Sequence, residues 1–122
     1  MSSWNEKLET SIGKIKDSTK ENIIDVTAHI MHNGYPFKDF AVQVEFPHPR
    51  KEHERVQLAR IDRSHGYLHL DKLYGNNKEK VRLFEAMNAW DAAKYLEGRW
   101  KTYYNRWSNR EDTESPKIFE LR

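Results

Sequence analysis

The sequence predicts an α+β domain: an N-terminal helix, a four-stranded antiparallel meander sheet, and a long C-terminal helix, straight or kinked, packed on one face. Three observations carry this expectation. Apolar residues recur at helical spacing near the N-terminus. Two segments on either side of Asn33-Gly34 alternate apolar and polar residues. After Gly75-Asn76-Asn77 the spacing returns to a helical one as far as Trp107.

The first helix opens at Ser3, followed three residues later by Glu6, a spacing at which each side chain can satisfy the other's backbone donor. Trp4, Leu8, Ile12 and Ile15 then form one stripe. Gly13 weakens that helix, and Asp17-Ser18-Thr19 end it. From Ile24 the period becomes two, with Ile24, Val26, Ala28 and Ile30 on one face and Asp25, Thr27, His29 and Met31 on the other. Asn33-Gly34 is a strong hairpin signal because both residues tolerate positive φ. The second strand places Phe40, Val42, Val44 and Phe46 on one face, and Pro47 and Pro49 stop it.

Strand three is expected from about Arg55 to Asp62 and strand four from about Tyr67 to Leu73, with Gly66 in the turn between them. In the C-terminal helical region the stripe divides. Leu83, Phe84, Met87 and Trp90 lie on one side, whereas Ala89, Ala92, Ala93, Leu96, Trp100, Tyr103, Tyr104 and Trp107 lie on another. One long helix that changes partners accounts for this, and a break near Asn88–Asp91 is the alternative. Residues 1–109 are expected to form a single domain, and 110–122 a loosely held polar tail.

With no cysteine, the chain has neither a disulfide framework nor thiolate metal ligands. No apolar run approaches the roughly 20 residues that cross a bilayer, and MSSWNEKLET lacks the apolar stretch of a secretory signal. A soluble cytoplasmic protein with no membrane partner is expected. A formal charge of +2 is too small to imply a polyanion partner by itself.

The densest chemistry lies between Ala59 and Lys72, where Arg60, Asp62, His65, His69 and Asp71 crowd a strand–turn–strand. Strict alternation puts Arg60 and Asp62 on the face of Val56 and Leu58, at the edge of the core. A bulge would instead turn Ala59 and Ile61 inward and both charges outward. His69 and Asp71 share the face opposite Leu68 and Leu70. Without the bulge, the two pairs point to opposite faces and form no common site.

In the functional reading, His65 or His69 exchanges a proton, Asp62 or Asp71 orients it, and Arg60 clamps an anion. Those parts suit phosphodiester chemistry on RNA. The alternative is a polar hairpin with an Arg–Asp pair and surface histidines. His65, His69 and Asp71 also offer ligand chemistry for zinc or manganese, but their spacing matches no helical zinc motif, and no cofactor is expected. His29 and His32 fall on opposite faces of their strand.

The run Arg60-x-Asp62-x-x-His65-x-x-x-His69 resembles the corresponding region of the TumE-like small toxins of prokaryotic toxin–antitoxin pairs, over about fifteen residues. Gly66-Tyr67 departs from the histidine-rich stretch those proteins carry. The resemblance implies a small RNA- or translation-directed toxin neutralised by an antitoxin-like protein.

A separate reading attaches to the C-terminal helix. Trp100 and Tyr104, interleaved with Arg99, Lys101 and Arg106, have the composition that stacks bases and pairs phosphates in single-stranded RNA. Aromatics at helical spacing more commonly pack on a sheet or at a dimer interface, with basic side chains along the border. The sequence therefore carries two functions of different class: an RNA-directed, toxin-like nuclease, or a non-catalytic binding or assembly module, with a homodimer expected in either case.

Overall fold

The computed structural model describes residues 6–17, 22–33, 39–63, 67–75, 79–84, 86–111 and 119–121. It is mostly sheet. Strands β1 (Glu6–Asp17), β2 (Asn22–Asn33), β3 (Asp39–Pro47), β4 (Arg55–Asp62), β5 (His69–Lys72) and β6 (Glu79–Arg82) form an antiparallel meander. Helices α1 (Ala89–Glu97) and α2 (Trp100–Glu111) follow, and β7 (Phe119–Leu121) pairs with β1 to give the order β6-β5-β4-β3-β2-β1-β7. No described helix is long and apolar enough to cross a membrane.

The expected N-terminal helix is a strand, and the error has a physical origin. β1 pairs with β2 from Glu6↔His32 to Asp17↔Asn22, with a register shift between Ser11 and Gly13 that leaves Ile12 extra. Leu8, Ile12 and Ile15 are therefore spaced by four and then three, which imitates a helical stripe. A strand with a one-residue bulge gives the same spacing. The proposed Ser3 cap lies outside the described residues.

Gly13 has a different meaning in this setting. A Cβ built on it would fall 2.1 Å from Trp100 Cζ2 and 2.7 Å from Cε2, so the indole of α2 lies directly on the glycine backbone. The residue that weakens a helix is here the seat for the first aromatic ring of α2.

The single long C-terminal helix is also corrected. Glu79–Arg82 pairs with β5, and the first described helix begins only at Ala89. There Asn88 caps α1, accepting from the Asp91 N–H at 2.8 Å while its own N–H reaches the Asp91 carboxylate at 3.3 Å. A second interruption falls at Gly98-Arg99, between α1 and α2. Of the two sequence stripes, the one through Ala89, Ala92, Ala93, Leu96, Trp100, Tyr103, Tyr104 and Trp107 is the buried face. The other is largely not helical: Leu83, Phe84 and Met87 belong to the linker, and Phe84 is 86% exposed.

One core holds the layers together. Val26, Ala28 and Ile30 of β2, Phe40, Val42, Val44 and Phe46 of β3, and Leu58, Ala59 and Ile61 of β4 face Leu96, Trp100, Tyr104 and Trp107. Phe46 meets Trp107 edge-on at 5.2 Å and Tyr104 at 5.7 Å. Each such ring fully removed from water contributes about 1.5–3 kcal/mol. The alternation that fills this face leaves Gln43, Glu45, Arg60, Asp62, His69 and Asp71 on the opposite one.

Candidate functional site on the face opposite the helices

A bulge in β4 creates the site. Val44 pairs with Ala59 and Glu45 with Gln57, so Leu58 is the extra residue, and Leu58 and Ala59 are both buried although adjacent. Before the bulge, Val56 and Leu58 face the core. After it, Ala59 and Ile61 do, and Arg60 and Asp62 turn to the far side. Of the two arrangements open from sequence, this is the one that puts both charged pairs on a common face.

β5 completes the cluster, with His69 opposite Asp62 and Asp71 opposite Arg60. Asp62 is the hub. Its Oδ2 lies 2.9 Å from Arg60 Nε and its Oδ1 2.9 Å from His69 Nε2. His69 Nε2 also lies 3.6 Å from Asp71 Oδ2, and Asp71 Oδ1 is 3.9 Å from Lys80 Nζ on β6. On its other side, His69 Nδ1 is 3.4 Å from the Tyr67 carbonyl, so whichever nitrogen carries the proton faces an oxygen acceptor. The Tyr67 ring lies 5.5 Å from the imidazole and carries the Arg82 guanidinium at 5.0 Å.

Burial grades across the cluster. The His69 side chain is 1% exposed and that of Asp62 6%, whereas Asp71 at 21% and Arg60 at 34% form the rim. Two carboxylates are thus held against a guanidinium and an ammonium, with an imidazole between them. The ligand atoms of Asp62, His69 and Asp71 lie within 4.8 Å of one another, and one imidazole with two carboxylates is a donor set for a divalent cation. Arg60 and Lys80 already balance both carboxylates, so the cluster needs no ion for neutrality. His65 lies outside the described residues.

A second polar cluster shares this face. His29 places Nδ1 3.1 Å from Glu9 Oε1 and Nε2 2.8 Å from Glu45 Oε1. Glu45 also accepts from Arg55 Nε at 2.6 Å and Gln43 Nε2 at 3.1 Å. The His29–Glu45 and Arg60–Asp62 contacts are ion-pair separations without the angle of a hydrogen bond. An open groove of about 610 Å³ lies over this cluster, with Glu9, Thr27, His29, Glu45 and Arg55 along its walls. The register Glu9↔His29↔Gln43↔Arg60↔Asp71↔Lys80 joins the two clusters into one row. Glu45 was missed because its partners come from three strands and no local spacing announces them. His32, as alternation requires, faces the other way and is buried.

The aromatic–basic reading of the C-terminal region is corrected by burial. Trp100 and Tyr104 are each 1% exposed and pack in the core, out of reach of a nucleobase. Arg99, Lys101 and Arg106 are exposed. Arg99 covers the Tyr95 ring at 3.5 Å, Lys101 lies 5.9 Å from the Trp100 ring, and Arg106 donates to the Tyr74 hydroxyl at 2.9 Å. Rings buried within their own chain lend no support to the homodimer they suggested.

The chain belongs to the family described as Domain of unknown function (DUF7718), whose model matches residues 14–113, a range that holds every residue named in the two clusters except Glu9. No curated protein and no solved structure matches it.

Proposed function

We propose that this protein cleaves phosphodiester bonds in RNA at the Arg60–Asp62–His69–Asp71 cluster. The observation that carries the reading is the convergence of a rim guanidinium, a rim carboxylate and a carboxylate-held imidazole on one face, brought about by the bulge at Leu58. The resemblance of Arg60-x-Asp62…His69 to the TumE-like toxins points the same way.

In this reading Arg60 holds the phosphate and faces the charge that develops on it, with Lys80 beside Asp71 adding a second cation. The 2′-hydroxyl proton passes to the Asp71–His69 pair as the 2′-oxygen bonds to phosphorus. The bond from phosphorus to the 5′-oxygen breaks, and the pair returns the proton to that oxygen, leaving a 2′,3′-cyclic phosphate and a 5′-hydroxyl. Asp62 positions the imidazole and is itself held by Arg60.

The test is incubation of the full chain with an end-labelled oligoribonucleotide, comparing wild type with Asp71→Asn, His69→Gln and Arg60→Ala. General acid–base groups typically contribute a factor of about 10²–10⁴, so the first two variants should fall at least about 100-fold at a temperature where circular dichroism shows them still folded. Absence of cleavage by wild type, or folded variants that cleave at the wild-type rate, overturns the proposal.

A further inference from the structure

The outer edge of β6 has a chemistry that fits one kind of partner. β6 ends the sheet, and no described strand pairs with its far side. The Leu83 N–H donates to the Leu68 carbonyl at 2.9 Å, and Val81 pairs with Leu70 and Lys80 with Asp71. Antiparallel ladders alternate between hydrogen-bonded and non-hydrogen-bonded pairs. The backbone groups of 79, 81 and 83 are therefore turned toward β5, and those of Lys80 and Arg82 point outward.

The side chains alternate with the same period. Lys80 and Arg82 share the face of their partners Asp71 and His69, and Val81 and Leu83 lie on the core face. On that face a cleft of about 280 Å³ opens beside the edge, lined by Arg63, Leu68, Leu83, Phe84, Ala86 and Met87. Phe84 is the most exposed large apolar residue described. A second copy of β6 does not fit: with only even-numbered residues presenting backbone groups, self-pairing sets Lys80 against Arg82, Lys80 against Lys80, or Arg82 against Arg82. Like charges directly opposite are destabilising.

We propose that the β6 edge takes an extended peptide segment that alternates acidic and apolar residues, added to the sheet as a further strand. Its backbone bonds to Lys80 and Arg82, its acidic side chains face their cations, and its apolar side chains cover Val81 and enter the cleft at Leu83 and Phe84. A strand seated there is separated from Asp71 and His69 by β6 alone, so its acidic side chains share with the cluster the two cations, Lys80 and Arg82, that lie between them. The assignment rests on strand geometry and stands whether or not the cluster cleaves RNA.

Fluorescein-labelled eight-residue peptides alternating Val with Glu, or Val with Lys, are titrated with the full chain and followed by anisotropy. Saturable binding of the glutamate peptide, at least tenfold tighter than the lysine peptide and weakened by salt, is expected. Lys80→Pro and Lys80→Ala both remove the charge, but only proline removes the outward N–H, without touching the β5 ladder. Lys80→Pro should bind at least fivefold more weakly than Lys80→Ala. Equal binding of the two peptides, or equal binding by the two folded variants, overturns the proposal.

Discussion

Replacing Gly13 with alanine decides between two structures by the sign of its effect. In a helix the substitution is stabilising by about 0.5–1 kcal/mol, because glycine is the weaker helix former. In the bulged strand the new methyl group arrives 2.1 Å from Trp100 Cζ2, 2.7 Å from Cε2 and 3.0 Å from Nε1. Carbon atoms in contact prefer about 3.5–4.0 Å, so the indole must withdraw by roughly 1.5 Å. Trp100 is 1% exposed and packs edge-on against Tyr104, so it has little room to do so. Overpacking of a filled core costs about 1–3 kcal/mol, and a rigid ring on a backbone-fixed methyl belongs at the upper end. For a 122-residue chain each kcal/mol shifts the melting temperature by about 3–5 °C, so Gly13→Ala should lower it by about 5–15 °C. Differential scanning calorimetry reads this directly. In a Trp100→Leu background the penalty should shrink by at least about 1 kcal/mol, the coupling expected of residues in contact. A Gly13→Ala melting temperature equal to or above wild type, or the same penalty in both backgrounds, would mean that Trp100 does not rest on Gly13.

Two other expectations follow from the charge pattern. The Lys14 ammonium, hydrogen-bonded to Asp25 at 2.6 Å and attracting it electrostatically, holds that carboxyl below the usual carboxylate range. A depressed folded-state value stabilises the fold above the unfolded value, near pH 4, and the contribution is lost as the pH falls through the lowered one. The melting-temperature difference between wild type and Lys14→Gln should therefore be small at pH 7, because both groups are exposed, and should shrink as the pH is lowered below 4. Separately, because Arg60 and Lys80 already neutralise Asp62 and Asp71, RNA cleavage should persist in EDTA. Cleavage lost in EDTA and restored by Mn²⁺ would transfer the cluster's role to a bound cation.

The strands β2, β3, β4 and β5 were legible in the sequence because their apolar residues alternate with polar ones and the segments are bounded by Asn33-Gly34, Pro47, Pro49 and Gly75. β1 was not, because the bulge at Ile12 converts a period of two into a four-then-three spacing that only pairing with β2 resolves. β6 was hidden for another reason: Glu79-Lys80-Val81-Arg82 has one apolar residue, and it is a strand through its backbone bonds to β5. The buried stripe of α1 and α2 was visible, but the interruption at Gly98-Arg99 was not, since both helices bury the same angular sector. At the candidate site the chemistry was legible and the geometry was left divided between two arrangements. Leu58-Ala59, two apolar residues side by side in an alternating strand, was the local sign of the bulge that decides between them.

The most direct measurement of the central claim uses a single oligoribonucleotide and its counterpart with one 2′-hydroxyl replaced by hydrogen at a mapped cleavage position. Wild-type protein should cut the first there, leaving a 2′,3′-cyclic phosphate, and should leave that position of the second intact. Equal cutting of both, or cleavage that is unchanged in His69→Gln, would contradict it.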